Sequence, residues 1–209
     1  MKALLATRNV KKLAELRRIL DDAGIEIELL GLADVSEYPE APETGLTFEE
    51  NALLKAREAV RHTGLPAIAD DSGLAVDALN GMPGVFSARW SGLPSGAPDR
   101  DGANLRLVLA QVGDVPDEHL GAAFVCAAAF VTPEGREVVV HGEMRGRLVR
   151  APRGSNGFGY DPIFVADGQS VTNAELEPAA KDAISHRGKA FRALVLNVIV
   201  EPNGRQGSP

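Results

Sequence analysis

The sequence predicts an α/β fold in which a long mixed β-sheet is flanked by helices and divided into two lobes with a cleft between them. Two observations lead to this prediction. Strand-like and helix-like segments alternate in the first third of the chain, and a long β-hairpin follows in the middle. The hairpin and its neighbours are assigned to the second lobe.

The first predicted elements are a strand, a helix and a second strand. The apolar run Lys2–Ala6 is typical of a short buried strand. Leucines then recur at helical spacing between Asn9, a suitable N-cap, and Gly24, a suitable stop. The segment Ile25–Leu32 predicts the second strand, so the chain begins as a βαβ unit.

A capped helix and a third strand come next. Thr47-Phe48-Glu49-Glu50 fits the S/T-x-x-E capping box, and the predicted helix continues to His62. Pro66–Asp70 is predicted to be a buried strand that ends at the polar residues Asp71-Ser72-Gly73. The sequence of the next segment, Leu74–Leu79, is compatible with a further extended stretch.

The second half of the chain contains the hairpin, a glycine-rich loop and a final helix. The predicted elements are a helix over Asn104–Val112, hairpin strands over Ala122–Thr132 and Glu137–Arg150, a loop over Ala151–Asp161, and a helix from near Ser185 to before Pro202. Residues 1–200 are therefore predicted to form a single two-lobed domain, and residues 201–209 a frayed tail.

Composition excludes several classes of function. The 209 residues carry a net charge of −7, which argues against wrapping a nucleic-acid backbone but allows a locally basic cleft for a small anion. Cys126 is the only cysteine, so no intrachain disulfide forms, and its apolar surroundings favour a buried, inert thiol. We find no leader peptide and no apolar run long enough for a bilayer, so we expect a cytoplasmic protein without membrane partners.

The loop Thr7–Lys12 is a candidate phosphate site. A turn between a strand and a helix directs backbone N–H groups and the positive end of the helix dipole at a bound anion such as phosphate. Lys12, on the first turn of the helix, could reach the same anion. An ordinary N-cap with solvent-facing lysines is the alternative. The segment alone does not decide between them.

A metal site is predicted around Asp70 and Asp71, where we expect the sheet to meet a loop. Neighbouring residues of an extended chain face opposite sides, so one carboxylate could bind a metal while the other orients the loop. Glu43 with Asp71 would supply the two carboxylates that Mg²⁺ commonly takes, and Lys55 could face a triphosphate. The alternatives are a solvated acidic turn, or Asp70 as the second ligand.

Two further segments suit a nucleotide base. In the glycine-rich loop, Phe158 offers a ring for stacking and Asp161 an acceptor for a base or sugar. Lys181 and the helix start Ser185–Lys189 offer donors for a base carbonyl or a phosphate. A structural loop and a basic surface are the alternatives.

Taken together, these segments resemble the inosine triphosphate pyrophosphatase family. The matching segments are Ala6–Asn9 with Lys12, Thr44–Ala52 with Lys55, Ala69–Leu74, Pro83–Val85 with Ser87–Trp90, Gly157–Pro162 and Ile184–Gly188. They occur in order across nearly the whole chain. The resemblance implies a homodimer, a substrate cleft between the lobes, and Mg²⁺-dependent hydrolysis of ITP, dITP and XTP to the monophosphate and pyrophosphate.

The resemblance also implies roles for individual residues. Asp71 would be the general base for water attacking the α-phosphorus and would bind Mg²⁺ with Glu43. Lys12 and Lys55 would offset charge on the departing pyrophosphate. With Lys55, the predicted substrate-binding residues are Thr7, Arg8, Asn9, Val10, Lys11, Lys12, Ser72, Phe158, Gly159, Tyr160, Asp161, Lys181, His186 and Arg187.

Base selectivity and two rival functions stay open on sequence alone. A donor such as His186 or Arg187 would favour the 6-oxo group of ITP and XTP over the amine of ATP. Nothing in the sequence indicates what rejects GTP. The rivals are a pyrophosphatase that prefers another modified nucleotide, for example a pyrimidine, and a non-catalytic nucleotide sensor.

Overall fold

The computed structural model describes residues 2–8, 10–22, 24, 26–39 and 41–200, without the side chains of Val10, Lys11, Ile199 and Val200. Its strands are β1 Lys2–Leu5, β2 Glu28–Leu30, β3 Ala67–Val76, β4 Gly121–Val131, β5 Glu137–Leu148 and β6 Phe164–Ala166. Its α-helices are α1 Val10–Asp22, α2 Phe48–Thr63, α3 Arg100–Gln111, α4 Pro178–Ile184 and α5 His186–Val195, and a π-helical stretch, Leu196–Val200, follows α5.

The six strands form one sheet in the order β2-β1-β3-β4-β5-β6. Strand β1 pairs in parallel with both β2 and β3, whereas β5 and β6 pair antiparallel. The predicted mixed sheet flanked by helices is thus confirmed. The predicted cleft between lobes stays a prediction.

The chain divides into two compact units, and the first comprises Met1–Asp71, Ala127–His141 and Gly188–Pro209. In this unit α2 packs on the sheet through small side chains, and Ala52 and Ala56 form one buried hydrophobic cluster with Ala69 of β3 and Ala127 of β4. All four alanines are fully buried. Small side chains let a helix approach a sheet closely, and this packing fixes the position of α2 over β3.

Helix α2 begins where its sequence predicts and ends at Thr63, one residue beyond the predicted end. Thr47 Oγ1 accepts the Glu50 N–H at 3.1 Å, and Glu50 Oε2 accepts the Thr47 N–H at 3.2 Å, which is the predicted capping box. Gly64 closes the helix with φ +66° and donates its N–H to Val60 O at 2.8 Å. The ends of this helix follow from local sequence alone.

The second unit comprises Ser72–Cys126 and Gly142–Arg187. Its core contains Leu74 and Val76 from β3, Val108 from α3 and Phe164 from β6. Cys126, at the end of this unit's part of β4, is fully buried, as its apolar surroundings predict. None of the helices in the described part of the chain has the length and apolar character that a bilayer span requires.

Strand β3 runs unbroken from Ala67 to Val76, so the prediction that it ends at Asp71-Ser72-Gly73 is wrong. Neighbouring atoms lie so close to the backbone at Gly73 that a side chain would not fit. A Cβ at this position would overlap Gly84 O and Ser87 Oγ. Ser87 Oγ also accepts the Leu74 N–H at 2.9 Å, so a tertiary contact keeps the polar segment extended.

Several predicted boundaries differ from the structure. Helix α3 begins at Arg100, four residues earlier than predicted, and β2 covers only Glu28–Leu30. The short elements β6 and α4 were not predicted, since three or seven residues give little periodic signal. Asn9, the predicted N-cap, and residues 201–209, the predicted tail, lie outside the described residues.

Candidate active site

The first unit carries a cluster of buried charges on β3. Asp70 and Asp71 are only 2% and 6% exposed. Because neighbouring strand residues face opposite sides, the two carboxylates take different partners. Asp70 Oδ2 lies 2.8 Å from Lys12 Nζ of α1, and Asp71 Oδ1 lies 3.4 Å from Lys55 Nζ of α2. The loop before α2 adds Glu43, whose Oε1 lies 2.5 Å from Lys55 Nζ. The predicted acidic and basic residues are thus brought together.

Asn51 belongs to the same cluster, and the sequence prediction assigned it no role. Its side chain is fully buried on α2, where Nδ2 donates to Asp71 Oδ2 at 3.0 Å. Its Oδ1 accepts the Gly45 N–H at 2.8 Å. Asn51 and Lys55 are one helical turn apart. A polar pair at this spacing on the alanine-rich face of α2 is the signal that could have identified it.

Burial and neighbouring charges perturb two groups of the cluster. Burial raises the pKa of Asp71, Lys55 opposes that change, and the negative charge of Glu43 raises the pKa further. For Lys55, burial alone would lower the pKa, but Asp71 and Glu43 outweigh it and the pKa is raised. Lys55 therefore stays an ammonium, and Asp71 has a higher proton affinity than an exposed aspartate.

The donor set fits a magnesium ion. Glu43 and Asp71 direct carboxylate oxygens at the same ammonium group of Lys55, so both reach one position that favours a cation. Within the described residues no group of three or more Asp, Glu, His or Cys side chains could hold a metal. Two carboxylates suit Mg²⁺, which usually keeps waters and takes substrate phosphates as further ligands. Asp70 Oδ2 contacts Lys12, whereas the carboxylates of Asp71 and Glu43 both contact Lys55, so Glu43 stays the predicted second ligand.

The predicted phosphate loop is described in part. Thr7 and Arg8 line a concavity of about 660 Å³ in the first unit. Lys12 faces Asp70 with its side chain 15% exposed, so the alternative of a solvent-facing lysine is wrong at this position. Asn9 lies outside the described residues, as do the side chains of Val10 and Lys11.

The second unit contains a pocket of about 110 Å³. It is lined by all the substrate-binding residues that were predicted in this unit, namely Ser72, Phe158, Gly159, Tyr160, Asp161, Lys181, His186 and Arg187. Asp101 and Phe124 also line it, although the sequence prediction missed them. They come from α3 and β4, and only the fold brings them to the loop.

Cationic and aromatic side chains pack against each other in this pocket. Lys181 Nζ lies 5.3 Å and Arg187 Cζ lies 5.7 Å from the centroid of the Phe158 ring, which are cation–π distances. Arg187 also donates to Ser72 Oγ at 2.9 Å. The buried ring of His186 stacks on Phe124 with centroids 5.0 Å apart. The pocket therefore combines flat apolar surface with groups that donate hydrogen bonds.

Asp161 holds the glycine-rich loop. Its Oδ2 accepts the Phe158 N–H at 2.9 Å and contacts Lys181 Nζ at 2.5 Å, and its Oδ1 accepts from Asn173 Nδ2 at 3.2 Å. The residue is 3% exposed. Gly157 is required beside it, because φ is +74° and a Cβ would overlap Asp161 Oδ2. These contacts favour a positioning role over the predicted hydrogen bond to a base or sugar.

Tyr160 and Gly159 are anchored in a similar way. The Tyr160 hydroxyl donates to Ser87 O at 2.7 Å, and the Gly159 N–H donates to Asp101 Oδ2 at 3.1 Å. Burial and the charge of Asp101 raise the pKa of Tyr160, so its hydroxyl stays protonated as a donor. The segment from Phe158 to Asp161 is thus a rigidly bonded wall of the pocket.

The two sites are adjacent in the chain. Asp71 is the last residue of the first unit and Ser72 the first of the second. Both belong to the unbroken strand β3, so a single peptide bond joins the buried charge cluster to the lining of the pocket.

Comparisons with known proteins agree on one family. The profile of the Ham1 family matches residues 3–196. A dITP/XTP pyrophosphatase of Mycobacteroides abscessus is 62% identical over 196 residues, which cover 93% of each chain. A solved HAM1 protein of Coxiella burnetii aligns with a TM-score of 0.84 at 42% identity, covering 96% of this chain and 99% of its own. The Ham1 protein of Staphylococcus aureus aligns with a TM-score of 0.82 at 34% identity, covering 96% and 100%.

Proposed function

The chain belongs to the Ham1 family, and we propose that it hydrolyses the non-canonical purine nucleoside triphosphates ITP, dITP and XTP to the monophosphate and pyrophosphate. The name of its relative, dITP/XTP pyrophosphatase, supports this substrate class. The observation that carries the proposal is the buried cluster in which Asp71 and Glu43 meet Lys55. Burying charged groups costs stability, and carboxylates perturbed in this way cluster at functional sites.

Asp71 is the proposed general base. It accepts the proton of the water that attacks the α-phosphorus, and its raised pKa makes it a better acceptor than an exposed aspartate. Lys12 and Lys55 offset the negative charge that develops on the departing pyrophosphate. The backbone and side chains of Thr7, Arg8, Asn9, Val10 and Lys11 are proposed to bind the phosphates together with Lys12.

Glu43 and Asp71 are the residues that would hold Mg²⁺. When bound there, the ion would polarise the phosphate oxygens and neutralise their charge. Lys55 contacts both carboxylates, so it keeps them close together while balancing their charge. Asp70 is proposed to orient Lys12 instead of binding the metal.

The second-unit pocket is proposed to hold the base and sugar. Phe158 offers its ring for stacking, while Lys181, His186 and Arg187 offer donors to the 6-oxo group. The amine of ATP would face donors there and lose affinity. Ser72 is proposed to contact the substrate, and Asp161 to hold Lys181 and the Phe158–Tyr160 wall in place.

Three earlier expectations are kept as part of this proposal. The family resemblance implies a homodimer with a substrate cleft between lobes, and we further propose that the protein acts in the cytoplasm. Mg²⁺ is the proposed metal.

The decisive experiment is a nucleotide panel assayed for pyrophosphate in the presence of Mg²⁺. We expect dITP, ITP and XTP to be cleaved with a kcat/KM at least about a hundredfold above that of ATP, because a polar mismatch at the 6-position disfavours the amine by at least that factor. GTP, which carries the same 6-oxo group, is included as a further comparison. Modified pyrimidine triphosphates belong in the same panel.

Each rival predicts a different outcome of that panel. A preference for a modified pyrimidine triphosphate would replace the proposed substrate class. Tight binding without release of pyrophosphate would favour a sensor, although the presence of Asp71 and Glu43 around one lysine argues against that function. Release of inorganic phosphate in place of pyrophosphate would contradict attack at the α-phosphorus.

A further inference from the structure

Asn51 lies where three elements of the first unit meet. It belongs to the first turn of α2, and its side chain is fully buried. One end of its amide contacts Asp71 on β3, with 3.0 Å between Nδ2 and Oδ2. The other end contacts the loop before α2, with 2.8 Å between Oδ1 and the Gly45 nitrogen. The side chain therefore bridges the loop and the strand.

The orientation of this amide is fixed by its partners. The Gly45 N–H can only donate, so the Asn51 oxygen has to face it. The amino group of Asn51 then faces Asp71 and donates to its carboxylate. A side chain with only acceptors, such as aspartate, could serve Gly45 but would offer Asp71 no donor.

The loop is bound closely to the start of α2. A Cβ on Gly45 would lie 2.6 Å from Glu50 Cβ and 2.8 Å from Asn51 Oδ1, so only glycine allows this approach. The Leu46 N–H also donates to Glu50 Oε2 at 2.6 Å. Glu43 is two residues before Gly45, so the position of its carboxylate depends on how firmly the loop is held.

We infer that Asn51 is a positioning residue that links the loop carrying Glu43 to the Asp71 carboxylate and so fixes the separation of the two acidic groups. The inference rests on the proposed function, which assigns catalysis and metal binding to these groups. Asn51 acts through Asp71 and Gly45. Replacing partners that orient metal-binding and catalytic side chains typically costs 10- to 100-fold in affinity or activity.

The bridge that Asn51 forms between Gly45 and Asp71 can be tested on the metal-free protein by a measurement that does not depend on catalytic activity. Asp71→Ala removes the acceptor of Asn51 Nδ2, which frees the amide to rotate away from Gly45. We expect hydrogen exchange of the Gly45 amide, followed by NMR, to accelerate at least tenfold. The Gly64 amide, bonded to Val60 O at the other end of α2, is the internal control and should be unchanged. Unchanged exchange at Gly45 would overturn the inference.

Kinetics of Asn51→Asp then test positioning. This variant keeps the shape of the side chain and an acceptor for Gly45, but it loses the donor to Asp71. We expect kcat to fall 10- to 100-fold while KM for dITP changes less than about threefold, because the reacting groups and not the base pocket are disturbed. A role in packing alone would leave kcat intact, and that result would overturn the inference.

A second variant avoids the added charge and covers the case in which Asn51→Asp does not fold. Gly45→Ala separates the loop from Asn51 while leaving Asn51 and Asp71 unchanged. Its matched control is Gly64→Ala, which strains the other end of the same helix at φ +66°. We expect kcat to fall at least tenfold in the first and to stay within twofold in the second. Equal kcat values would overturn the inference.

The two kinds of readout separate this inference from the proposed function. If the unaltered protein released no pyrophosphate from any nucleotide, the proposed function would fail. The exchange experiment would still decide whether Asn51 couples Gly45 to Asp71.

Discussion

Two buried carboxylates, Asp71 in the first unit and Asp161 in the second, are held by the same kinds of partner. Each accepts a hydrogen bond from an asparagine amide and lies beside a lysine ammonium. Residue types alone therefore do not distinguish the two sites.

The difference lies in how the lysine is used. Lys181 lies 2.5 Å from Asp161, which also accepts a backbone N–H. Lys55 lies 3.4 Å from Asp71 and closer, at 2.5 Å, to Glu43. A carboxylate that shares its cation with a second carboxylate keeps a high proton affinity and attracts a further cation, whereas a fully bonded carboxylate holds structure. This difference supports the proposed roles, in which Asp71 takes part in the chemistry and Asp161 positions the pocket wall.

The largest expected effect tests the chemical half of this comparison. Asp71→Asn keeps the size of the side chain and removes the proton acceptor, so we expect kcat for dITP to fall by about 10²–10⁴-fold. Pyrophosphate release measures it. Asp77→Asn, which removes an exposed carboxylate paired with Arg145, is the control for lost charge. An Asp71→Asn enzyme with more than a tenth of the original kcat would remove the assigned role.

Asp161→Asn tests the architectural half. The substitution removes the negative charge beside Lys181 and loosens the pocket wall from Phe158 to Asp161. We therefore expect KM to rise by about tenfold, which corresponds to ~1.4 kcal/mol of binding, with kcat nearly unchanged. The free energy of unfolding should fall by about 3 kcal/mol, as for other broken buried pairs. Steady-state kinetics and urea unfolding measure the two quantities. A loss confined to kcat would instead make Asp161 a reacting group.

A smaller effect concerns stability without metal. Because the folded-state pKa of Asp71 is raised, its ionised form destabilises the folded state, and that cost disappears as pH falls below the unfolded-state pKa. The neutral amide of Asp71→Asn avoids the cost, so we expect its Tm at pH 7 to exceed that of the original protein by about 2–4 °C. Calorimetry in EDTA should show the difference shrinking toward low pH. A difference that grows in acid would contradict the sign of the shift.

The smallest expected effect concerns the helix that carries the partners of Asp71. Thr47→Ala removes the N-cap of α2, so we expect the free energy of unfolding to fall by about 1 kcal/mol. Packing of the alanine face should keep Lys55 in place, so kcat should not change. Thermal unfolding and the pyrophosphate assay together check this. A parallel fall in kcat would show that the site depends on the cap as well as on packing.

Elements whose ends are defined by a few neighbouring residues were predictable from the sequence. The capping box at Thr47 defines the start of α2 in both prediction and structure, and the helix ends within one residue of the predicted His62. The β3 strand was predicted too short because Asp71-Ser72-Gly73 has the composition of a turn. Its extended form depends on Ser87, which is distant in sequence and bonds to Leu74, and no local pattern contains that information.

The candidate site shows the same division. The charged residues around Asp71 were predicted because their types suggest chemistry. Asn51 was missed because an asparagine within a helix looks ordinary until its two partners are seen, and Asp101 because its contact with Gly159 joins α3 to a distant loop. Asp161 was predicted as a ligand contact because nothing in the sequence reveals that Lys181 and Asn173 engage it.

The burial of Cys126 has a practical consequence for following the Glu43–Gly45 loop. Thiol reagents need an accessible thiolate, and the only cysteine of the chain is fully enclosed in β4. Leu46, next to Gly45, is 83% exposed. A dye attached to a cysteine introduced by Leu46→Cys would therefore label one position selectively, and its fluorescence would report whether nucleotide and metal change the environment of that loop.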